Sequence, residues 1–184
     1  MIFKGLDIKP SLIPVLDKEF IAASLFNRAF RDAVIKSGKS AKLRIALERG
    51  GGLVSTYETP VFDETSPMSQ TNLFYVERLI KTLLWIKGGW KITIGGPKSI
   101  CEYIKKIYTA GGLREFDAKF MGRVYEKEFT VEIVDTNKVP NSNEKSKPLG
   151  RHLKGCRIGF DAGGSDRKVA AVIDGNPVYS EEVI

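Results

Sequence analysis

Histidine is almost missing from this 184-residue chain, with His152 the only one. Mechanisms that need paired imidazoles, His-rich metal sites among them, are therefore excluded within one chain. Cysteine is nearly as scarce. Cys101 and Cys156 lie far apart and form no CxxC pair, so neither a zinc knuckle nor a disulfide framework is indicated, and buried free thiols are the expectation. A Ser-His-Asp triad is formally open, but no Gly-x-Ser-x-Gly elbow accompanies it. Long apolar runs are lacking too. Charge interrupts each of them well short of the roughly 18 residues that a membrane span needs, and the N-terminus "MIFKGLDIKPSLIP" has no continuous apolar core with a small-residue cleavage site. These absences point to a soluble, cytoplasmic protein with no membrane partner.

What is present is 42% hydrophobic residues, enough for one ordinary domain or for one domain and part of another. The net charge of +7 is concentrated. Between Asn137 and Arg157, six basic residues (Lys138, Lys145, Lys147, Arg151, Lys154 and Arg157) face one acid, Glu144. This stretch, "NKVPNSNEKSKPLGRHLKGCR", is rich in Pro, Asn, Ser and Gly and reads as a solvated linker. The alternative is a basic nucleic-acid module that combines it with Trp85, Trp90 and the tyrosines. No compact three-helix pattern precedes Asp161, and tryptophans in a helix-strand unit are more often core, so nucleic acid is not the expected partner.

Residues 21–36 place Leu25, Phe26, Ala29, Phe30, Ala33 and Val34 on one helical face, with Ser37-Gly38 as the stop. Two strands, 43–47 and 53–62, follow across Gly50-Gly51-Gly52 as a hairpin with a loop longer than two residues. Leu73, Val76, Ile80, Leu83 and Leu84 then mark a helix over 69–87, with Ser69 as N-cap and Gly88-Gly89 as stop. A strand at 90–94, a Gly95-Gly96 turn and a helix opening at Pro97 come next, and a strand at 129–134 precedes the basic stretch. The expected fold class is α/β, a mixed sheet with flanking helices in residues 1–136. A linker at 137–154 then leads to a three-stranded meander in 155–184, too small to be a good independent fold because one sheet face stays uncovered.

That last segment holds the densest candidate chemistry. In "RIGFDAGGSDRKVAAVIDGNPVYSEE" an apolar strand runs into Asp161-Ala162-Gly163-Gly164-Ser165, and a second strand leaves through Lys168. Glycines let backbone N–H groups approach phosphate oxygens, the Ser165 hydroxyl adds a donor, Asp161 suits Mg²⁺ held through water, and Lys168 neutralises charge. The plain alternative is a hairpin turn in which Asp161 and Ser165 are local turn formers. Both readings stay open on residue types.

The same residues resemble the first phosphate hairpin of the actin-like (ribonuclease H-like) ATPase superfamily, with Asp161 at the phosphate-1 aspartate, Gly163 at its glycine, and Gly164 and Ser165 at the small or hydroxylated positions after it. Within that superfamily the chain looks like the ROK (repressor, open reading frame, kinase) proteins, in a subgroup with a long N-terminal extension. The segments "KPSLIPVLDKEFIAASLFNRAFRDAV", "IALERGGGLVSTYETPVF", "NLFYVERLIKTLLWIKGGWK" and "PLGRHLKGCRIGFDAGGSDRKVAAVIDG" carry that likeness over nearly the whole chain. The common ROK hairpin reads Asp-x-Gly-Gly-Thr-Lys; here Asp166 and Arg167 intervene, so the basic Lys168 falls two positions late.

The resemblance implies ATP and Mg²⁺ as cofactors, with Asp161, Gly163, Gly164, Ser165 and Lys168 around the phosphates and Asp161 toward the metal. It also implies an adenosine role for the Gly95-Gly96 turn, since "FYVERLIKTLLWIKGGWKITIGGPKSICEYIKKIY" looks like the adenosine segment of these kinases moved ahead of the hairpin, as circular permutation would do. A hexose would be the second partner. The family's acid base, sugar-binding carboxylates and second phosphate loop follow the hairpin and its cysteine-rich zinc motif is absent here, so the expectation is the N-terminal portion of a ROK-like sugar kinase or sugar sensor, inactive alone. Whether it is an enzyme stays open. A non-catalytic interaction domain is the other reading, and exposed strand edges favour self-association as a homodimer.

Overall fold

The computed structural model describes residues 1–145, 150 and 152–184. It is mixed α/β, and the chain divides into two compact units, Met1–Lys145 and Ser146–Ile184. The basic residues Lys147 and Arg151 lie outside the described residues.

In the first unit a short hairpin of β1 (Ile2–Phe3) and β2 (Leu6–Asp7) precedes α1 (Ala23–Ser37). The helix ends at Gly38, whose φ of 63° is the left-handed conformation in which a side chain is strained. Then come β3 (Ser40–Glu48), β4 (Val54–Phe62), α2 (Thr71–Lys87), β5 (Lys91–Gly95), α3 (Lys98–Ile107), α4 (Glu115–Tyr125) and β6 (Thr130–Ile133). The sheet order is β4-β3-β5-β6: β3 runs antiparallel to both β4 and β5, while β5 and β6 are parallel. A parallel pair needs a crossover, and α3 with α4 supplies it.

Strand alternation explains where the core sits. Register sets Leu43, Ile45 and Leu47 of β3 beside Ile92 and Ile94 of β5 and Val131 and Ile133 of β6 on one face. That face shares a single apolar cluster with Phe26, Phe30 and Val34 of α1, Tyr75, Val76, Ile80 and Leu84 of α2, and Ile100, Ile104 and Ile107 of α3. Phe30 stacks on Tyr75 at 4.1 Å between ring centroids, and the Tyr75 hydroxyl lies 3.1 Å from the hydroxyl of Thr59, so this buried phenol has a partner. Asn72 at the start of α2 donates to the Phe62 carbonyl at 2.8 Å and accepts from the Phe62 amide at 3.0 Å. The amide side chain thus closes the last residue of β4 as a neighbouring strand would.

The opposite face is polar. Lys42 pairs with Glu58 at 2.8 Å and Lys91 with Glu132 at 2.6 Å across adjacent strands. Residues 136–144 run along this side and the β4 edge, although most of that stretch was expected as free linker. Val139 is buried, Arg44 donates to Asn141 at 2.9 Å, Thr56 donates to the Pro140 carbonyl at 2.7 Å, and the backbones of Val54 and Asn143 bond each other in both directions. The Glu144 carboxylate accepts from Ser55 and from Lys87, which hold its pKa below the ordinary range. The Pro, Asn and Ser composition that reads as solvated is here a set of hydrogen-bonding groups matched to a sheet edge.

The second unit is a meander of β7 (Cys156–Ala162), β8 (Arg167–Ile173) and β9 (Asn176–Val183), all antiparallel. Asp174 and Gly175 both take positive φ in the two-residue turn between β8 and β9, the geometry that Asp-Gly favours in tight hairpins.

Candidate functional site

Register assigns each side chain of the meander to a face. Cys156, Ile158 and Phe160 alternate with Arg157, Gly159 and Asp161, and the pairings Phe160↔Val169↔Glu181 and Ile158↔Ala171↔Tyr179 make the first face largely apolar. On the other face one cross-strand row reads Asp161↔Lys168↔Glu182. The sequence marked Asp161 and Lys168; the structure adds Glu182 to their row. Counting outward from a four-residue turn at 163–166 would have found the first pairing, but the second was not countable: from the Asp174-Gly175 turn alone Lys168 would face Glu181, and a bulge at Ala171/Val172 shifts the register by one residue to Glu182.

The Lys168 ammonium lies 3.0 Å from Asp166 and 3.2 Å from Glu182. These two carboxylates, Asp166 first, raise the Lys168 pKa. The carboxylate of Asp161 forms no hydrogen bond or ion pair among the described residues, and it is exposed. The ammonium thus lies between two carboxylates, with the unpaired Asp161 opposite Lys168 in the same cross-strand row, a negative balance that an added cation would offset.

The turn itself separates two kinds of glycine. Neither Gly163 nor Gly164 takes positive φ, so left-handed backbone is not what calls for them. A Cβ on Gly163 would collide with Asp166, whose carbonyl oxygen lies at 2.8 Å from that position. Around Gly164 there is nothing within 4 Å of where a Cβ would stand. Neither conformation nor packing within the protein therefore requires glycine at 164. Among the described residues the amides of Gly163, Gly164 and Ser165 and the Ser165 hydroxyl make no hydrogen bond.

The Gly95-Gly96 turn is of the other kind. A Cβ on Gly95 would stand 2.8 Å from the Val134 carbonyl and 2.7 Å from the Thr136 Cα, and one on Gly96 would stand 2.7 Å from Leu43 Cδ1. Both glycines are accounted for by close packing of the protein on itself. Gly96 also borders an open depression of about 510 Å³ with Pro97, Lys42, Glu64 and Asn137. The N-terminus of α3 faces the Glu64 carboxylate, which accepts from the Ser99 amide at 2.8 Å and is held below its ordinary pKa chiefly by that bond. A phosphate there would meet a carboxylate already in place.

The tryptophans sit in the first unit. Trp85 donates its indole N–H to the buried Asp117 at 2.6 Å, and the Lys127 ammonium lies 4.2 Å above the Trp90 ring. Asp117 also faces Arg114 at 3.4 Å, and Arg114 pairs with the buried Glu77. Sequence spacing had not joined these four residues, because they come from α2 and from a turn and helix some 30 residues on.

Among the described residues no group of three or more His, Cys, Asp or Glu side chains is arranged to hold a metal ion directly, and no helix is long and apolar enough to cross a membrane. The chain matches no family model, no curated protein and no solved structure.

Proposed function

We propose that the 161–168 hairpin is a phosphate-binding hairpin of actin-like ATPase type, in a ROK-like sugar kinase or sugar-sensing protein. The observation that carries this reading is the turn: free backbone amides at Gly163, Gly164 and Ser165, a glycine at 164 with no need of its own, and a free carboxylate at Asp161 on the same hairpin. A phosphate chain needs N–H donors with no side chain in the way, and Gly164 leaves that approach open.

The residues present fit Mg²⁺-ATP. Asp161 would hold the metal through water, the three amides and the Ser165 hydroxyl would contact phosphate oxygens, and Lys168 would add positive charge once drawn from its two carboxylates. The cation supplies neutralisation of the phosphates, without which three carboxylates would repel them. Phosphoryl transfer depends on positioning and charge neutralisation together with a base for the sugar hydroxyl. This hairpin accounts for phosphate contact alone, so the chain binds nucleotide weakly and turns over little or none.

Titration of the protein with Mg²⁺-ATP, followed by backbone amide chemical shifts, tests this. The expected result is weak binding, on the order of millimolar, with shifts confined to residues 161–168 and lost in Asp161→Asn and in Gly164→Val. Binding unaffected by both substitutions would sink the hairpin reading. Tight binding with robust glucose phosphorylation would overturn the claim that the chain carries phosphate contact alone.

A further inference from the structure

The helix α4 has two apolar faces. Ala118 and Met121 point into the core, as a helix on a sheet requires. Phe116, Phe120 and Val124 recur at steps of four on another side, and Leu113, in the turn that leads into α4, is exposed as well. Leu113, Phe116 and Val124 are each more than half exposed. Phe120 stacks on Phe116 at 6.0 Å and on Trp85 of α2 at 5.1 Å, so three aromatic rings form one continuous surface. Trp85, Phe116 and Val124 are each about half exposed or more, and with Phe120 they form an apolar patch on the order of a few hundred Å², which on a monomer is often functional.

Three features of this surface select its occupant. Trp85 is fixed: its indole N–H is bonded to buried Asp117, which Arg114 holds in turn, so the ring is a rigid floor with its polar atom turned inward. A tryptophan that anchors in a lipid interface keeps its N–H toward the headgroups, so this arrangement does not suit a bilayer. The rim is basic. Lys81 and Arg78 stand one and two turns before Trp85 on α2, and Arg123 and Lys119, the latter paired with Glu115 at 2.6 Å, lie beside the α4 row. Lys81 and Arg123 form no ion pair among the described residues. A symmetric pair of copies would appose this patch to itself and bring the unpaired cations Lys81 and Arg123 of both together, which opposes it.

We propose that this α2–α4 face docks an acidic amphipathic helix of a partner protein, its apolar ridge lying along Phe116, Phe120 and Val124 and its flanking carboxylates meeting Lys81 and Arg123. Rigid aromatic anchors within a polar rim are the arrangement in which a few residues dominate binding. The proposal is independent of the hairpin.

The probe is a synthetic helical peptide of about 16 residues, with leucines at i, i+4 and i+7 and glutamates on both flanks, set against a twin with lysines in place of the glutamates. Titration into the full chain carrying Trp90→Phe, so that Trp85 is the sole tryptophan emitter, is followed by fluorescence and calorimetry. The acidic peptide binds, the lysine twin binds at least about tenfold more weakly, and added salt narrows the gap. Phe116→Ser abolishes binding, and Lys81→Glu with Arg123→Glu reverses the preference between the two peptides. All these positions are at the surface, and unchanged far-ultraviolet dichroism and melting show that the variants fold. Equal binding of both peptides, or binding of neither, overturns the proposal. So does a dimer of the free chain that Phe116→Ser converts to monomer in light scattering, which would give the face to a second copy. A blue shift of Trp85 on phosphatidylserine vesicles would give it to a membrane.

Discussion

Phe30 and Phe160 are the same side chain in two different circumstances. Phe30 is 0% exposed, stacked on Tyr75 and edge-on to Phe62 between α1 and the sheet. Phe160 is 67% exposed, on a strand whose residues are all exposed. Each lies on an apolar stripe of correct period, one of 3.6 residues and one of two. Periodicity therefore identifies which face can be buried, and only a second layer buries it. The first unit has its layer in α1, α2 and α3; the meander's own three strands provide none.

The largest effect comes from truncating each ring. Phe30→Ala removes a ring from a packed layer and is expected to cost about 3–5 kcal/mol. Phe160→Ala is expected to stay within about 0.5 kcal/mol, as exposed positions do. Urea denaturation of the two variants reads the difference. Should Phe160→Ala prove as costly as Phe30→Ala, the apolar face of the meander is covered in solution, and the contrast between the units collapses.

The second effect is electrostatic and belongs to the first unit alone. Glu77 and Asp117 are both buried, and Arg114 is the cation between them. Arg114→Leu leaves the buried Asp117 carboxylate without a counter-charge and Glu77 with only the exposed Arg78 at 3.4 Å, with an expected cost of about 3–5 kcal/mol. In the meander Lys168 also sits between two carboxylates, but all three side chains are open to water. Lys168→Leu is expected to leave the melting temperature nearly where it is in the native chain, because water already screens these pairs. Thermal melts of the two variants side by side test whether burial, and not the number of partners, sets the scale.

Much of this was legible in the residues. The helices at 21–36 and 69–87 and the strands around 43–62 and 90–94 follow their periods because each has one clear apolar side, and α1 and α2 begin and end within two residues of those bounds. The helix α4 was not legible. Phe116, Phe120 and Val124 on one side and Ala118 and Met121 on another spread apolar residues around the wheel, and Gly122 falls inside, where a Cβ would stand 2.9 Å from the Lys127 carbonyl. The hairpin β1–β2 escaped because two-residue strands have no period to read. In the candidate site the types were visible and the arrangement was not. Asp161, Gly163, Gly164 and Ser165 stand out in sequence, whereas the distinction between a glycine that packing requires, Gly95, and one that it does not, Gly164, is a matter of what lies within a few ångströms.

The smallest effect distinguishes the two thiols. Cys101 lies in α3, almost wholly buried, and desolvation followed by the neighbouring Glu102 charge pushes its pKa up to about 11 from 9.0. Cys156 lies on β7 and is exposed. At pH 8 an aromatic disulfide reagent should therefore modify one thiol per native chain quickly and the second only on unfolding, because the attacking species is an accessible thiolate. Rapid modification of both would mean that the α3 layer opens freely. The same shift has a sign in stability. The unfolded chain releases the Cys101 proton near pH 9, while the folded chain keeps it up to about pH 11. The contribution is thus complete below pH 9 and is lost as pH rises from there to about 11. Tyrosines and lysines titrate over the same range, so the measurement is the difference between the native sequence and Cys101→Val. The denaturation midpoint of the native chain should fall more steeply above pH 9 than that of the variant, and parallel declines would show that the thiol is not protected by its layer.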